Sequence, residues 1–213
     1  TLFVQWVIGK CPKDKIITGS YNETLSTVFS KGVRNKIQET SADGRIVYND
    51  IFPHIKVKRG DGAANLWGIE GNDTNTYLAT SPTGTATGFG ADLMLIDDVI
   101  KNEYEARNDN IKEQHWKWFT DTMLSRREGK RKVIVVMTRW ASDDLAGRLI
   151  ETLNRQGKKY RLICYKAFDG HSMLCEDILS RAQYEDILQG DTGKDIVEAN
   201  YNQSPIDVTG RLY

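Results

Sequence analysis

The sequence predicts an α/β fold with a mainly parallel sheet flanked by helices. Leu93-Met94-Leu95-Ile96 and Val133-Ile134-Val135-Val136 are continuous apolar runs of strand length, the pattern of strands buried on both faces. Segments of helical spacing alternate with strand-like ones along the chain, which is the order of βαβ units. The first apolar run also ends directly in Asp97-Asp98, and parallel strands place function at their carboxyl ends.

The elements follow in order. Leu2 to Ile8 is an apolar helix stopping at Gly9; a turn at Pro12 leads into a strand, Lys15 to Ser20. Residues 22–39 carry Leu25, Val28, Phe29, Val33 and Ile37 at helical spacing, with Asn22 as the cap. From Ile46 the pattern changes to short alternating strands, 55–59 and 65–69, punctuated by turns at Gly60-Asp61-Gly62 and Gly71-Asn72-Asp73, an antiparallel addition to the main sheet, and 76–80 follows as a further short strand. The run Ser81 to Gly90, rich in glycine and threonine, is a flexible loop before the Leu93 strand. A long helix is expected over 108–127, with Ile111, His115, Trp118, Phe119, Thr122 and Met123 near one face, followed by the second buried strand, 132–137. Ser142-Asp143-Asp144 opens a helix running to about Arg155, its carboxylates favoured by the helix dipole. A further strand at 160–165, helices at 181–189 and 195–201, and an irregular tail complete the chain.

Composition bounds the function. At 213 residues, 39% hydrophobic and 27% charged, the chain fits one globular domain. Lys plus Arg and Asp plus Glu are 29 each, so no global field draws it to nucleic acid or membrane, and any DNA contact rests on local patches. The three cysteines, Cys11, Cys164 and Cys175, lack metal-ligand spacing and are expected as buried, reduced thiols. No apolar run reaches the roughly 18 residues of a membrane span and no signal-peptide pattern opens the chain, so a soluble, intracellular protein is expected.

The chemistry concentrates at two strand ends. In nucleotide hydrolases a carboxylate at the end of a buried strand binds the magnesium ion that bridges the terminal phosphates. Adjacent strand residues face opposite ways, so Asp97 and Asp98 take different roles unless the backbone bends there. Asp97 is assigned to Mg²⁺ and Asp98 to the water that attacks the γ-phosphate of ATP. The alternative makes both turn residues at a strand end. At the second strand end, Thr138 can donate a hydrogen bond to phosphate or water, and Arg139 carries a permanent charge. Alternatively, Arg139 pairs with Asp143 or Asp144 and Trp140 fills the core. Arg126-Arg127-Glu128-Gly129-Lys130-Arg131-Lys132 holds five positive charges in seven residues; it suits either DNA phosphates or the carbonyl end of a helix. Lys56, Lys58 and Arg59 form a weaker patch. His54, His115 and His171 are isolated and receive no role. The phosphate-cradling G-x-x-x-x-G-K-[ST] is missing, since Gly9-Lys10 continues into Cys11 and Gly193-Lys194 into Asp195.

Thr87-Gly88-Phe89-Gly90-Ala91-Asp92-Leu93-Met94-Leu95-Ile96-Asp97-Asp98 and Thr138-Arg139-Trp140-Ala141-Ser142-Asp143-Asp144-Leu145-Ala146-Gly147-Arg148 together resemble the ATPase domain of the large terminase subunit of tailed bacteriophages or prophages. Gly19-Ser20-Tyr21-Asn22 and Tyr201-Asn202-Gln203-Ser204-Pro205 extend the resemblance along essentially the whole chain. It implies a P-loop NTPase fold of the RecA/ASCE-like kind, with residues 1–200 as the ATPase domain and 201–213 leading to a nuclease domain beyond Tyr213. The first strand and the P-loop are then expected before Thr1. It further implies a motor driven by ATP and Mg²⁺ that packages double-stranded DNA into a procapsid in the host-cell cytoplasm. Its partners would be a portal protein, a small terminase subunit and further copies of itself in a ring.

On this resemblance Asp97 matches the Walker B magnesium aspartate and Asp98 the catalytic carboxylate, more often glutamate in the wider family. Thr138-Arg139-Trp140 matches the motif that couples hydrolysis to DNA movement. Phe89 stands where many relatives place arginine, leaving Arg126, Arg127 and Arg139 as arginine-finger candidates. Weak or undetectable ATPase activity is expected of these 213 residues alone. Two other readings stand beside this one: a non-catalytic prophage remnant that binds portal or small terminase subunit, and a helicase-like P-loop ATPase, which leaves the T-R-W-x-x-D-D-L-A-G-R string unexplained.

Overall fold

The structure, a computed structural model, describes residues 1–60, 63–84, 86, 88–190 and 194–206, without the side chains of Arg127, Gly129, Lys130 and Arg131. Part of the Gly60-Asp61-Gly62 turn, Thr85 and Thr87 of the loop, most of the basic run's side chains and the tail from 207 lie outside the described residues. The chain forms two compact units, one of residues 1–99 and 117–136, the other of 100–116 and 137 onward.

The first unit holds the sheet. Helix α1 (Leu2–Lys10) precedes strand β1 (Ile16–Gly19), α2 (Glu23–Gln38) and the short α3 (Tyr48–Ile51) follow, and then come β2 (Leu66–Trp67), β3 (Tyr77–Thr80), β4 (Ala91–Asp97) and β5 (Arg127–Val136). The strand order is β2-β3-β1-β4-β5. β1 pairs parallel with β3 and β4, and β4 pairs parallel with β5; only β2 is antiparallel. The expected antiparallel addition is therefore present but shorter, with 55–59 reduced to a single Val57–Ile69 bridge. Leaving its carboxyl end, the chain from β1 passes to β3 on one side, whereas that from β4 passes to β5 on the other. Between β1 and β4 lies the topological switch point, where open α/β sheets form a ligand crevice.

Each face of the sheet is covered. Ile16, Tyr77, Ala79 and Leu93 pack with Val4, Val7 and Ile8 of α1 and Val33 and Ile37 of α2. Asn22 caps α2 as expected, its Oδ1 accepting from the Leu25 N–H at 2.8 Å. Trp67 stacks on Tyr77 at 5.0 Å and donates from Nε1 to Ser30 Oγ at 2.9 Å, so the indole buries no unpaired donor. Burial pushes the Tyr77 phenol up to about 12, against its 2.6 Å hydrogen bond with Thr18 Oγ1. On the opposite face, Ile17, Met94 and Ile96 are buried completely, and Trp118 lies against Gly19. The expected long helix changes form midway: α5 (Asp109–Lys117) gives way to a π-helical turn, Trp118–Met123, which carries Trp118, and then to a 3₁₀ turn, Leu124–Arg126.

The second unit contains α4 (Glu103–Ala106), most of α5, α6 (Leu145–Arg155), α7 (Arg181–Gln189) and α8 (Lys194–Asn200). Met173, Tyr184 and Val197 form its small core with Phe168, Ile187 and Tyr201 around them, and Arg181 lies 3.9 Å over the Phe168 ring.

Two expectations are corrected here. Residues 160–165 form no strand: Leu162 and Ile163 are 62% and 59% exposed, and no described strand pairs with them. Apolar and aromatic content raises β propensity, but a strand exists only where a partner edge takes its backbone groups. All three cysteines are exposed rather than buried. Among the described residues, no helix is long and apolar enough to cross a membrane.

Candidate functional site

The ladder between β4 and β5 ends at Asp97, which pairs with Val136; the Asp98 N–H still donates to the Val136 carbonyl at 2.9 Å. The next residue, Val99, is 1% exposed. Asp98 itself has φ +46°, one of two non-glycine residues with positive φ among the described residues. This is the bend that alternation requires if neighbouring carboxylates are not to diverge. Strand alternation sets Asp97 on the face of Leu93, the one that α1 covers.

Electrostatics mark both carboxylates. Burial raises the Asp97 pKa above the ordinary carboxylate value. Asp98 is raised by burial and, in addition, by the charge of Asp97. Asp98 Oδ1 is buried with no hydrogen-bond partner. An orphaned carboxylate oxygen beside a second acid is poorly stabilised by the protein alone and well placed to accept from a ligand or cation. Among the described residues no group of three or more His, Cys, Asp or Glu side chains could hold a metal. Two carboxylates are the donor set that suits Mg²⁺, which keeps several waters and takes its remaining ligands from substrate phosphates.

The neighbouring strand ends carry residues that sequence reasoning passed over. Thr80, at the end of β3, is 2% exposed and its Oγ1 has no partner. Opposite it in register stands Gly19, whose missing Cβ would lie 2.6 Å from Trp118 Cη2 and 3.2 Å from Ile96 Cδ1. The Trp118 Nε1 is likewise buried without a partner. The only sequence signal for this group was a glycine closing a buried strand, which first reads as an ordinary strand end.

Thr138, two residues beyond β5, is exposed. Arg139 is committed: its Nε reaches Asp144 Oδ1 and Oδ2 at 3.1 and 2.9 Å, and its Nη2 donates to the Ala141 and Ser142 carbonyls at 3.1 and 3.3 Å. Asp144, fully buried, also accepts from the N–H groups of Trp140 and Gly147 and so caps α6. Asp143 holds Lys112 Nζ at 2.6 Å, and Arg148 holds Glu113 at 2.6 Å and the Asp143 carbonyl at 2.9 Å. Desolvation lowers the Lys112 pKa, but its bonds to Asp143 and Asp109 prevail and hold it above the ordinary lysine value. Of the arginine-finger candidates, Arg126 has a buried Nε without a partner, and the Arg127 side chain lies outside the described residues. In the weaker basic patch, Lys56, Lys58 and Arg59 are exposed. No protein-family model matches the chain, and no curated protein matches it.

Proposed function

We propose that the chain is the ATPase part of a DNA-packaging motor of the large-terminase type, acting on double-stranded DNA with portal and small-subunit partners. The observation that carries this reading is the carboxylate pair beside the β1/β4 switch point, with Asp98 strained and one of its oxygens unpartnered. Strain at a polar residue in a strand-end crevice persists where function selects it.

In this reading Asp97 would hold the Mg²⁺ of ATP, directly or through water. When bound, the ion neutralises charge on the terminal phosphates. Asp98 accepts the proton side of the attacking water through its free Oδ1; a raised pKa brings a carboxylate base closer to working pH. Thr138, exposed after the neighbouring strand, donates its hydroxyl to phosphate or water. Arg139, fixed on Asp144, gives the loop after Thr138 a rigid frame that ends in the cap of α6. The T-R-W-x-x-D-D-L-A-G-R string supports the reading through the resemblance that it carries.

The test is ATP turnover by the product of the complete open reading frame. Mg²⁺-dependent hydrolysis is expected, lost on Asp97→Ala and reduced at least about a hundredfold by Asp98→Asn, with circular dichroism unchanged in both. Turnover that survives Asp97→Ala overturns the magnesium assignment.

A further inference from the structure

Arg139 has a second anchor, on its backbone. Its N–H donates to Gln203 Oε1 at 3.1 Å, across 64 residues of sequence. The same side-chain amide donates from Nε2 to the Asn200 carbonyl at 2.6 Å, one of those that the end of α8 leaves unpaired. One planar amide thus joins the loop after β5 to the carboxyl end of α8.

Gln203 occupies this position at a conformational cost. Its φ is +56°, in the left-handed region that long side chains rarely adopt, and it shares this property with Asp98. Both flanks are pinned: the Tyr201 carbonyl accepts from Ala167 N–H at 2.7 Å, Asn202 Nδ2 donates to Tyr184 Oη at 2.9 Å, and Ser204 N–H donates to the Glu198 carbonyl at 2.8 Å. These bonds over-determine the segment and hold the strained residue with its amide turned to Arg139. The Tyr201-Asn202-Gln203-Ser204-Pro205 string, otherwise unexplained, gains a physical reason.

We infer that Gln203 is a positioning residue for the Thr138–Trp140 loop, coupling that loop to α8. With the guanidinium on Asp144 and the N–H on Gln203, Arg139 cannot shift without breaking an anchor, and a shift would release the end of α8. The linkage stands on the hydrogen bonds; its consequence for hydrolysis rests on the proposed function.

Amide hydrogen exchange of the 213-residue chain, resolved by residue, tests the linkage. Gln203→Ala and Gln203→Gly should each speed exchange at Arg139 about tenfold, the loss of one hydrogen bond, while Gly147 and Asp98 keep their protection. Glycine accepts the left-handed backbone, so its agreement with alanine isolates the side chain from the strain. Gln203→Glu keeps the acceptor and should restore protection at Arg139. Unchanged exchange at Arg139 in the alanine and glycine variants overturns the inference; so does accelerated exchange throughout 137–206 that glutamate fails to rescue. Absence of ATP turnover in the wild-type full-length protein would sink the proposed function and leave this exchange result intact.

Discussion

Asp144 holds Arg139 through both carboxylate oxygens while capping α6 through the Gly147 N–H at 2.9 Å. The carboxylate is completely buried, so its charge is balanced by the guanidinium and by backbone donors rather than by water. Asp144→Ala leaves a buried cation and several N–H groups unpaired, and should cost about 3–5 kcal/mol. Asp144→Asn keeps an acceptor for the cap and should cost less. Urea denaturation followed by tryptophan fluorescence checks both, and an alanine variant within about 0.5 kcal/mol of wild type would refute the hub.

Gly147 sits where no side chain fits. A Cβ there would lie 1.8 Å from the Ser142 carbonyl oxygen and 2.8 Å from Arg139 Nη2. Gly147→Ala gains roughly 1 kcal/mol of helix propensity, yet should destabilise by about 2 kcal/mol or more because backbone must move. A Cβ on Gly32, mid-helix in α2, would meet Thr1 Cγ2 at an ordinary 4.0 Å and nothing nearer outside its own helix. Gly32→Ala should therefore stabilise, by up to about 1 kcal/mol. The same change with opposite signs at two helical glycines is read from their melting temperatures.

β4 was legible because burial leaves a one-dimensional record, Leu93 to Ile96 being apolar without interruption. Val133 to Val136 carries the same pattern, but there the expected burial on both faces is corrected, since β5 is an edge strand with Val133, Ile134 and Val135 half-buried and Val136 51% exposed. α7 and Asn22 were legible for similarly local reasons, a periodic stripe and a cap. Residues 160–165 misled because their composition is that of a strand, whereas pairing is decided by an edge elsewhere in the chain. The carboxylate pair was visible in sequence, but the positive φ of Asp98 was not, since a backbone angle at one aspartate leaves no mark in composition or periodicity. Arg139 was open to two readings in the sequence, chemistry or a pair with Asp143 or Asp144, and the second is what the structure has: Asp144 takes its charge for the frame of the loop. Gln203 was beyond reach, its partner being 64 residues away.

Gly19, the last residue of β1, meets Trp118, and the contact leaves no room for a methyl group. Gly19→Ala should cost about 1–3 kcal/mol by overpacking against the indole ring and should alter Trp118 emission. Trp118→Leu removes the obstacle, so the double variant should recover part of the loss. A coupling energy of at least about 0.5 kcal/mol in that cycle is expected for groups in contact; strict additivity would show that the two residues act separately.

Asp98 should be a residue that the fold would be more stable without. Its carboxyl pKa is raised in the folded protein by burial and by Asp97, so ionising it is harder there than in the unfolded chain. The sign follows by linkage: whatever Asp98 contributes is fully present below the ordinary value of 3.8 and is lost as pH rises through the higher folded value. Asp98→Asn removes that loss and keeps a side chain that tolerates left-handed backbone. The variant should therefore gain stability relative to wild type as pH goes from about 4 to 7, while losing any hydrolysis that depends on Asp98. Melting curves across that range decide the matter. An asparagine variant less stable than wild type at neutral pH would mean that the ionised carboxylate is satisfied by groups within the protein, leaving it no free oxygen for a ligand or water.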